Sequence, residues 1–240
     1  LKEGTNLGNA LDYIQINSKD LRVENGVNLS ATNGIRSNAV GIVNLIFDGD
    51  STVSGVVGSN NTLGNVTINS TNKAKTVDFL NKFNIAGDLV IANTDTAILR
   101  GEVFAANIQG KDANQGTVKF YNSTELTGTT AVTAAIGANT LDTVVLGGKN
   151  ITFNHAAGTF NTKTLAFDGN NEITATFTKL GALGANALQN TTITTNSNAK
   201  NHHIVLNDDD HTLDKAVGSA ANNFGNFKLL TDKTITVNHA

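Results

Sequence analysis

Short runs of alternating apolar and polar residues recur along nearly the whole chain, separated by turns rich in Asn and Gly. Alternation over a few residues indicates a half-buried strand, and Asn and Gly accept the backbone angles of tight turns. Asn25-Gly26 is one such hairpin or tight-turn signal. Strands are predicted at residues 21–23, 27–29, 43–47, 66–68, 89–91, 98–103, 118–120, 144–146, 151–153, 165–167, 173–177, 204–206, 227–229 and 235–237, and around Ile193.

Two phrases repeat at irregular spacing. Asn-Thr-Leu-Gly-Asn-Val-Thr-Ile at residues 61–68 matches residues 222–229 in polarity, and residues 139–146 match it without the glycine. A second phrase, at residues 47–54, matches residues 167–174. Self-similarity of this kind is typical of stacked coils. The sequence therefore predicts an all-β fold, and the repeats favour a β-solenoid over a sandwich, the alternative for many short strands.

The spacing of the repeats predicts loops that project from the solenoid. Leu63 follows Phe47 by 16 residues, whereas Leu141 follows Phe120 by 21, which indicates an insertion of 5 within residues 131–137. A solenoid accommodates extra residues as a loop on one face. Residues 129–137 and 180–188, both rich in Ala and Gly, are predicted to be such loops, with a short helix as the alternative for each.

The apolar positions define an expected interior. We expect one solenoid domain over residues 1–240, with residues 1–42 fitting the pattern least, and the 11 phenylalanines mostly in an internal ladder. The side chains predicted to point inward are Phe47, Val66, Ile68, Phe120, Phe153, Phe167 and Phe227.

Composition and charge exclude several classes of function. Only 15% of residues are charged, the net charge is −3, and no Lys/Arg run forms a basic patch, so nucleic acid is not expected as a partner. The absence of cysteine excludes disulfides and thiolate metal sites. No apolar run is long enough to span a bilayer as a helix. A chain that begins Leu1-Lys2-Glu3 and lacks methionine is expected to be a processed product or a piece of a longer protein.

The Asn/Thr/Gly-rich coils, the lack of cysteine and the phrases at residues 62–68 and 165–171 resemble the passenger region of bacterial autotransporters, most closely the rickettsial surface cell antigens. The resemblance spans roughly residues 43–237. It implies a right-handed parallel β-helix that is exported through the outer membrane, displayed on the bacterial cell surface and used to adhere to or enter host cells. It also implies a host-cell surface protein as partner and a carboxy-terminal translocation barrel in the parent chain.

One cluster of metal-ligating residue types stands out. His202-His203 is followed by Asp208-Asp209-Asp210-His211, which together carry enough imidazole and carboxylate for a zinc or calcium site. Their spacing matches no known metal motif, and in a strand His202 and His203 point to opposite faces. We therefore predict an exposed polar turn and assign no metal, cofactor or catalytic residue.

Three functions remain open. The first is an adhesin or invasin segment, and the second is a structural stalk or surface-layer segment without a ligand of its own. A broad exposed apolar patch would favour the adhesin, and a uniform Asn/Thr surface would favour the stalk. The third is a polysaccharide lyase or glycosidase, but the acids at Asp88, Asp95, Glu102, Asp112 and Glu125 are scattered, and no enzyme is predicted.

Overall fold

The regular structure of the chain consists of short strands that follow the alternating pattern. The computed structural model describes residues 1, 11–17, 20–70, 73–121, 129–154, 160–168, 172–179, 188–195, 202–206, 211–218, 224–229 and 234–238. The strands are β1 (Ile14–Ile16), β2 (Leu21–Val23), β3 (Ile35–Ser37), β4 (Leu45–Phe47), β5 (Ser51–Val53), β6 (Val66–Ile68), β7 (Thr76–Phe79), β8 (Phe83–Asn84), β9 (Asp88–Ile91), β10 (Thr96–Leu99), β11 (Val103–Gly110), β12 (Gln115–Phe120), β13 (Thr129–Leu146), β14 (Asn150–Asn154), β15 (Phe160–Phe167), β16 (Thr174–Lys179), β17 (Thr192–Thr195), β18 (His203–Leu206), β19 (His211–Leu213), β20 (Asn226–Leu229) and β21 (Ile235–Val237). The described residues form no helix.

A typical strand pairs in parallel with one strand of the preceding coil and one strand of the following coil. β4 lies between β2 and β6, β10 between β7 and β12, and β16 between β14 and β18. This succession of parallel pairings is that of a β-solenoid, as the alternation and the repeats predicted. The Asn25-Gly26 signal marks a tight turn in which Gly26 has a φ of 77°. The turn is not that of a hairpin, because the strand before it, β2, pairs in parallel with β4.

Each coil contributes to three faces, which the chain visits in the order C, A, B. Face A contains β2, β4, β6, β9 and the end of β11. Face B contains β5, β7, β10, β12, the ends of β13 and β15, and β17. Face C contains β1, β3, β8, the beginnings of β11 and β13, and then β14, β16, β18 and β20.

Inward residues stack in columns along the solenoid. On face B, one column joins positions that lie 20 to 28 residues apart and that are all buried. Its members are Leu29, Val53, Phe79, Leu99, Phe120, Leu146, Phe167 and Thr195. Because no coil can bury its apolar face alone, this stacking supplies the core.

The phenylalanines are mostly internal, but they form separate clusters and not one ladder. Six of the seven side chains predicted to point inward are buried, and the side chain of Phe227 lies outside the described residues. One cluster places the Phe79 ring 4.9 Å from Phe83, and another stacks Phe153 on Phe177 at 5.0 Å. Phe104 differs, because it lies half-buried on the outside of face C with Lys82 4.7 Å from its ring.

The repeated phrases do not mark equivalent positions. The phrase at residues 61–68 ends in β6 on face A, residues 139–146 end in β13 on face B, and residues 222–229 end in β20 on face C. Residues 139–146 lie wholly within the continuous strand β13, so the phrases do not mark one fixed position in the coil.

The prediction of a projecting loop at residues 129–137 is wrong. These residues belong to β13, which passes around two corners of the coil, with Gly137 at φ 74°. Phe120 and Leu146 are paired neighbours 26 residues apart, as are Val53 and Phe79, so the coil contains no unusual insertion. The small Ala and Gly side chains instead let a continuous strand bend.

Candidate interaction surfaces

Six threonines form an outward column on face B. Strand register joins each threonine to the threonine of the next coil, at a spacing of about 4.8 Å between strands. The column consists of Thr76, Thr96, Thr117, Thr143, Thr164 and Thr192. It belongs to a sequence motif that differs from the two repeated phrases: threonine–apolar–any–Phe or Leu, present at residues 76–79, 96–99, 117–120, 143–146 and 164–167.

The column beside these threonines is mixed in character. It contains Thr52, Asp78, Ile98, Lys119, Val145, Ala166 and Thr194. Asp78 is neutralised by Arg100, whose Nε lies 2.8 Å from its Oδ1. The hydrogen bond to Asp78 raises the pKa of Arg100 and outweighs the opposing effect of its partial burial. Face B therefore presents mainly methyl and hydroxyl groups, which suits a spacer surface.

A ladder of Asn and Asp side chains supports the entry to face A. The Asp20 side chain accepts the Asn44 backbone N–H at 3.2 Å, Asn44 accepts that of Asn65 at 2.8 Å, and Asn65 accepts that of Asp88 at 2.8 Å. Asp88 in turn accepts the side-chain amides of Asn107 and Gln109. These polar residues satisfy backbone donors at a corner, so their role is structural.

Large apolar side chains are exposed mainly in the amino-terminal coils. Among the described residues, the four most exposed are Tyr13 at 42%, Val40 at 64%, Ile42 at 55% and, near the other end, Val237 at 57%. Val40 and Ile42 flank Gly41 in the exposed segment 38–42, which lies between β3 and β4. The sequence pattern does not predict this exposed apolar segment, because residues 1–42 fit the repeats least.

A polar groove on face C lies beside Tyr13. Its volume is about 450 Å³, and Asp12, Tyr13, Asn33, Arg36 and Asn60 are among the residues that line it. The Arg36 guanidinium carbon lies 3.6 Å from the centre of the Tyr13 ring, a cation–π contact, and its Nε donates to Gln15 Oε1 at 3.3 Å. Asp12 accepts a hydrogen bond from the Asn33 side chain.

A second groove, of about 380 Å³, lies where faces A and B meet. Asn114, Thr140, Asn161, Lys163 and Asn190 contribute to its lining. Lys163 is paired with Asp142 at 3.5 Å, and Asn161 donates to the backbone oxygen of Gly137 at 3.1 Å. This groove contains no exposed aromatic ring among the described residues, since the Phe160 beside it is buried.

The structure separates the residues of the His/Asp cluster. As predicted, His202 and His203 point to opposite sides. The prediction of an exposed polar turn is wrong for His202, which is fully buried with its ring stacked on Phe167 at 5.2 Å. His203 points outward and contacts Glu172 Oε1 at 2.8 Å and Asn226 Oδ1 at 2.6 Å. Asp208, Asp209, Asp210 and the His211 side chain lie outside the described residues. Within the described part of the chain, no three ligating side chains form a metal-binding group.

His202 is electrostatically unusual. Its Nδ1 accepts the Ile173 backbone N–H at 3.3 Å, and its buried Nε2 has no hydrogen-bond partner among the described residues. Burial lowers the pKa of His202, the nearby His203 lowers it further, and the Glu172 carboxylate opposes both effects. The neutral imidazole is therefore the form that fits this site.

Three of the scattered acids have structural contacts. Asp95 is fully buried and accepts the backbone N–H groups of Ser70 at 2.8 Å and Lys75 at 2.9 Å, together with the Ser70 hydroxyl. Asp88 belongs to the face A ladder, and Glu102 pairs with Lys82 at 3.2 Å. Asp112 is exposed, and Glu125 lies outside the described residues.

The second predicted loop, residues 180–188, lies outside the described residues except for Leu188, which is buried. No helix in the described ranges could cross a membrane.

Comparisons with known proteins give no relative from which to assign a function. No family model, no curated protein and no solved structure matches this chain. The surfaces described above are therefore the basis for a functional assignment.

Proposed function

We propose that this chain is an adhesin-type rod segment that is displayed on a bacterial surface and binds a host-cell surface protein. The observation that carries the proposal is the distribution of exposed large apolar side chains. Three of the four among the described residues, Tyr13, Val40 and Ile42, belong to the amino-terminal coils. Exposed apolar groups grouped in one region of a soluble surface favour a partner there.

The central coils fit the role of a spacer. Their face B presents the threonine column, and their charged side chains at Asp78 and Asp142 are paired with Arg100 and Lys163. A rod of this kind holds its binding region away from the cell surface. The resemblance of the sequence to autotransporter passenger regions supports the same assignment.

A binding assay with the full chain tests the proposal. Immobilised protein is exposed to solubilised host-cell surface proteins, and the captured proteins are compared between the parent and a Val40→Thr/Ile42→Thr variant. Ile98→Thr provides a matched control, because Ile98 is an outward side chain on face B. We expect the double variant to lose capture and the control to retain it. Capture should change little with salt, because the net charge is only −3.

The second candidate is a stalk without a ligand of its own, and the uniform threonine column of face B favours it. Absence of any specific capture by the parent protein would overturn the adhesin proposal in favour of the stalk. Capture that is equal in the parent and the double variant would show that the 38–42 segment is not the binding region.

A further inference from the structure

Within the described part of the chain, Arg36 differs from the other two arginines in having no carboxylate partner. Arg22 and Arg100 form ion pairs with Asp48 at 2.7 Å and Asp78 at 2.8 Å. Among the described residues, no carboxylate forms an ion pair with Arg36, and its one hydrogen bond uses Nε. Its two Nη groups therefore retain donors for a ligand. A guanidinium presents these donors in a planar fork that matches a carboxylate.

The position of Arg36 is fixed by its neighbours. The Tyr13 ring lies 3.6 Å from the guanidinium carbon, and Gln15 Oε1 accepts from Nε at 3.3 Å. Neither contact neutralises the charge. A cation held in place by uncharged groups loses little conformational freedom when it binds an anion.

The other groups of the groove suit hydroxyl groups. Asn33 and Asn60 carry side-chain amides, which both donate and accept, and Thr32 adds a hydroxyl. Tyr13 is 42% exposed and adds an aromatic surface that can pack against the C–H groups of a sugar ring. Neutral amides together with an aromatic ring favour a saccharide over an acidic peptide.

The charge of the groove limits the ligand to one anionic group. Asp12 is the second charged residue of the lining, and its carboxylate accepts from the Asn33 side chain. A polyanionic chain would place a further negative charge near Asp12, at a cost from like-charge repulsion.

Building on the function proposed above, we propose that the Tyr13–Arg36 groove binds a sugar residue that carries a single carboxylate, such as an acidic unit of a host-surface glycan. Arg36 would pair with the carboxylate, Tyr13 would pack against the ring, and Asn33 and Asn60 would bind hydroxyl groups.

Calorimetric titration of the full chain tests this inference. The probes are N-acetylneuraminic acid and glucuronic acid, with glucose, acetate and a capped glutamate peptide for comparison. We expect the acidic sugars to bind with a Kd of about 1 mM and each of the other probes to bind more weakly. Arg36→Gln should weaken acidic-sugar binding by about tenfold or more, because it removes a charge-assisted pair.

Control variants distinguish loss of the proposed contact between Arg36 and the sugar carboxylate from general effects on folding. Arg22→Gln removes a guanidinium that is paired with Asp48 and should leave binding unchanged. Tyr13→Phe should retain binding and Tyr13→Ala should weaken it, with circular dichroism to verify that each variant is folded. The inference is overturned if no acidic sugar binds, if acetate, glucose or the peptide binds as tightly, or if Arg36→Gln has no effect. Absence of acidic-sugar binding, together with host-protein capture that is lost in the Val40→Thr/Ile42→Thr variant, would refute this inference and leave the proposed function standing.

Discussion

The hydroxyl of Tyr121 donates a hydrogen bond of 2.9 Å to Oδ2 of Asp168, a residue 47 positions later in the chain. Phe120, Leu146 and Phe167 occupy successive coils of face B, so Tyr121 reaches past the coil that carries Gly147. Gly147 permits this path, because a β-carbon at this position would overlap the Tyr121 ring. One side chain thus connects three coils.

The Gly147→Ala variant should displace the Tyr121 ring and break this contact. Burial, followed by the bond to Asp168, raises the pKa of Tyr121 to about 12, so the displaced ring should ionise nearer its ordinary value of 10. Because the folded pKa is raised, the stabilising contribution is complete below about pH 10 and is lost as the pH rises through 12. Absorbance titration of tyrosinate measures this shift.

The chain has 2 tyrosines, so Tyr121→Phe leaves Tyr13 as the only one that ionises. The step that is missing from the titration curve of this variant belongs to Tyr121. Tyr121→Phe should also reduce the free energy of unfolding by about 1 kcal/mol, the usual value of one hydrogen bond. A titration curve that is identical in the parent and in Gly147→Ala would contradict the role assigned to Gly147.

Phe167→Ala should destabilise the carboxy-terminal coils locally. Phe167 is fully buried, and its ring lies 5.2 Å from His202 and 5.0 Å from Phe224. Loss of this side chain should cost about 3–5 kcal/mol if the site collapses little. Because coils contact mainly their neighbours, hydrogen exchange should increase around β15, β17 and β18 and stay unchanged in β4 and β6.

Phe104→Ala is the matched control, because Phe104 is half-buried on the outside of face C. Its loss should cost less than the loss of Phe167. Exchange that rises equally along the whole chain in Phe167→Ala would show that the solenoid unfolds as one unit.

The stability of the protein should fall as the pH decreases below about 6.5. The pKa of buried His202 is lower in the folded protein than its ordinary value of 6.5, so the unfolded chain binds a proton first. The contribution of neutral His202 is therefore present above pH 6.5 and is lost as the pH falls toward the folded pKa. Urea unfolding at a series of pH values measures this dependence.

His202→Phe should flatten that dependence, because it retains an aromatic ring beside Phe167 and removes the titrating group. His203→Gln is the control and should retain the loss of stability that His202 causes, since His203 faces outward toward Glu172 and Asn226. An unchanged pH dependence in His202→Phe would exclude His202 as its source.

Asp95→Asn should destabilise the protein by about 1–3 kcal/mol. The Asp95 carboxylate is fully buried and accepts three hydrogen bonds, from the backbones of Ser70 and Lys75 and from the Ser70 hydroxyl. In either orientation, the NH2 group of an asparagine would face a backbone N–H, that of Ser70 or that of Lys75. Urea unfolding at neutral pH measures the change.

The matched variant is Asp88→Asn, in which the partners are the side-chain amides of Asn107 and Gln109. The Asn107 amide can rotate to present its oxygen to the new amide group, whereas the Gln109 oxygen is held by the Asn139 backbone N–H. One rotation is enough to restore the hydrogen bonds, so this change should cost less than Asp95→Asn. Equal costs at the two positions would show that burial and fixed backbone donors do not distinguish them.

The threonine motif of face B is visible in the sequence and is aligned by strand pairing. The Asn- and Gly-containing phrases from which the repeat was inferred are not aligned with one another. Threonine–apolar–any–Phe or Leu occurs in five consecutive coils from Thr76 to Phe167, and strand pairing aligns every copy. The phrases at residues 61–68, 139–146 and 222–229 lie on three different faces. Asn and Gly turns precede strands on every face, whereas the threonine motif includes the inward residues that must stack.

The sequence by itself determined the all-β character of the chain and which side chains of its alternating strands face inward. Alternation has a period of two residues, so the burial of Phe47, Val66 and Phe153 follows from local pattern alone. Only the tertiary structure decided which strand lies beside which, that residues 129–137 continue as strand, and that Tyr13 meets Arg36. The physical reason is that the length of each coil and the path of each corner depend on contacts between residues 20 to 28 positions apart. A pattern of period two carries no information about those contacts.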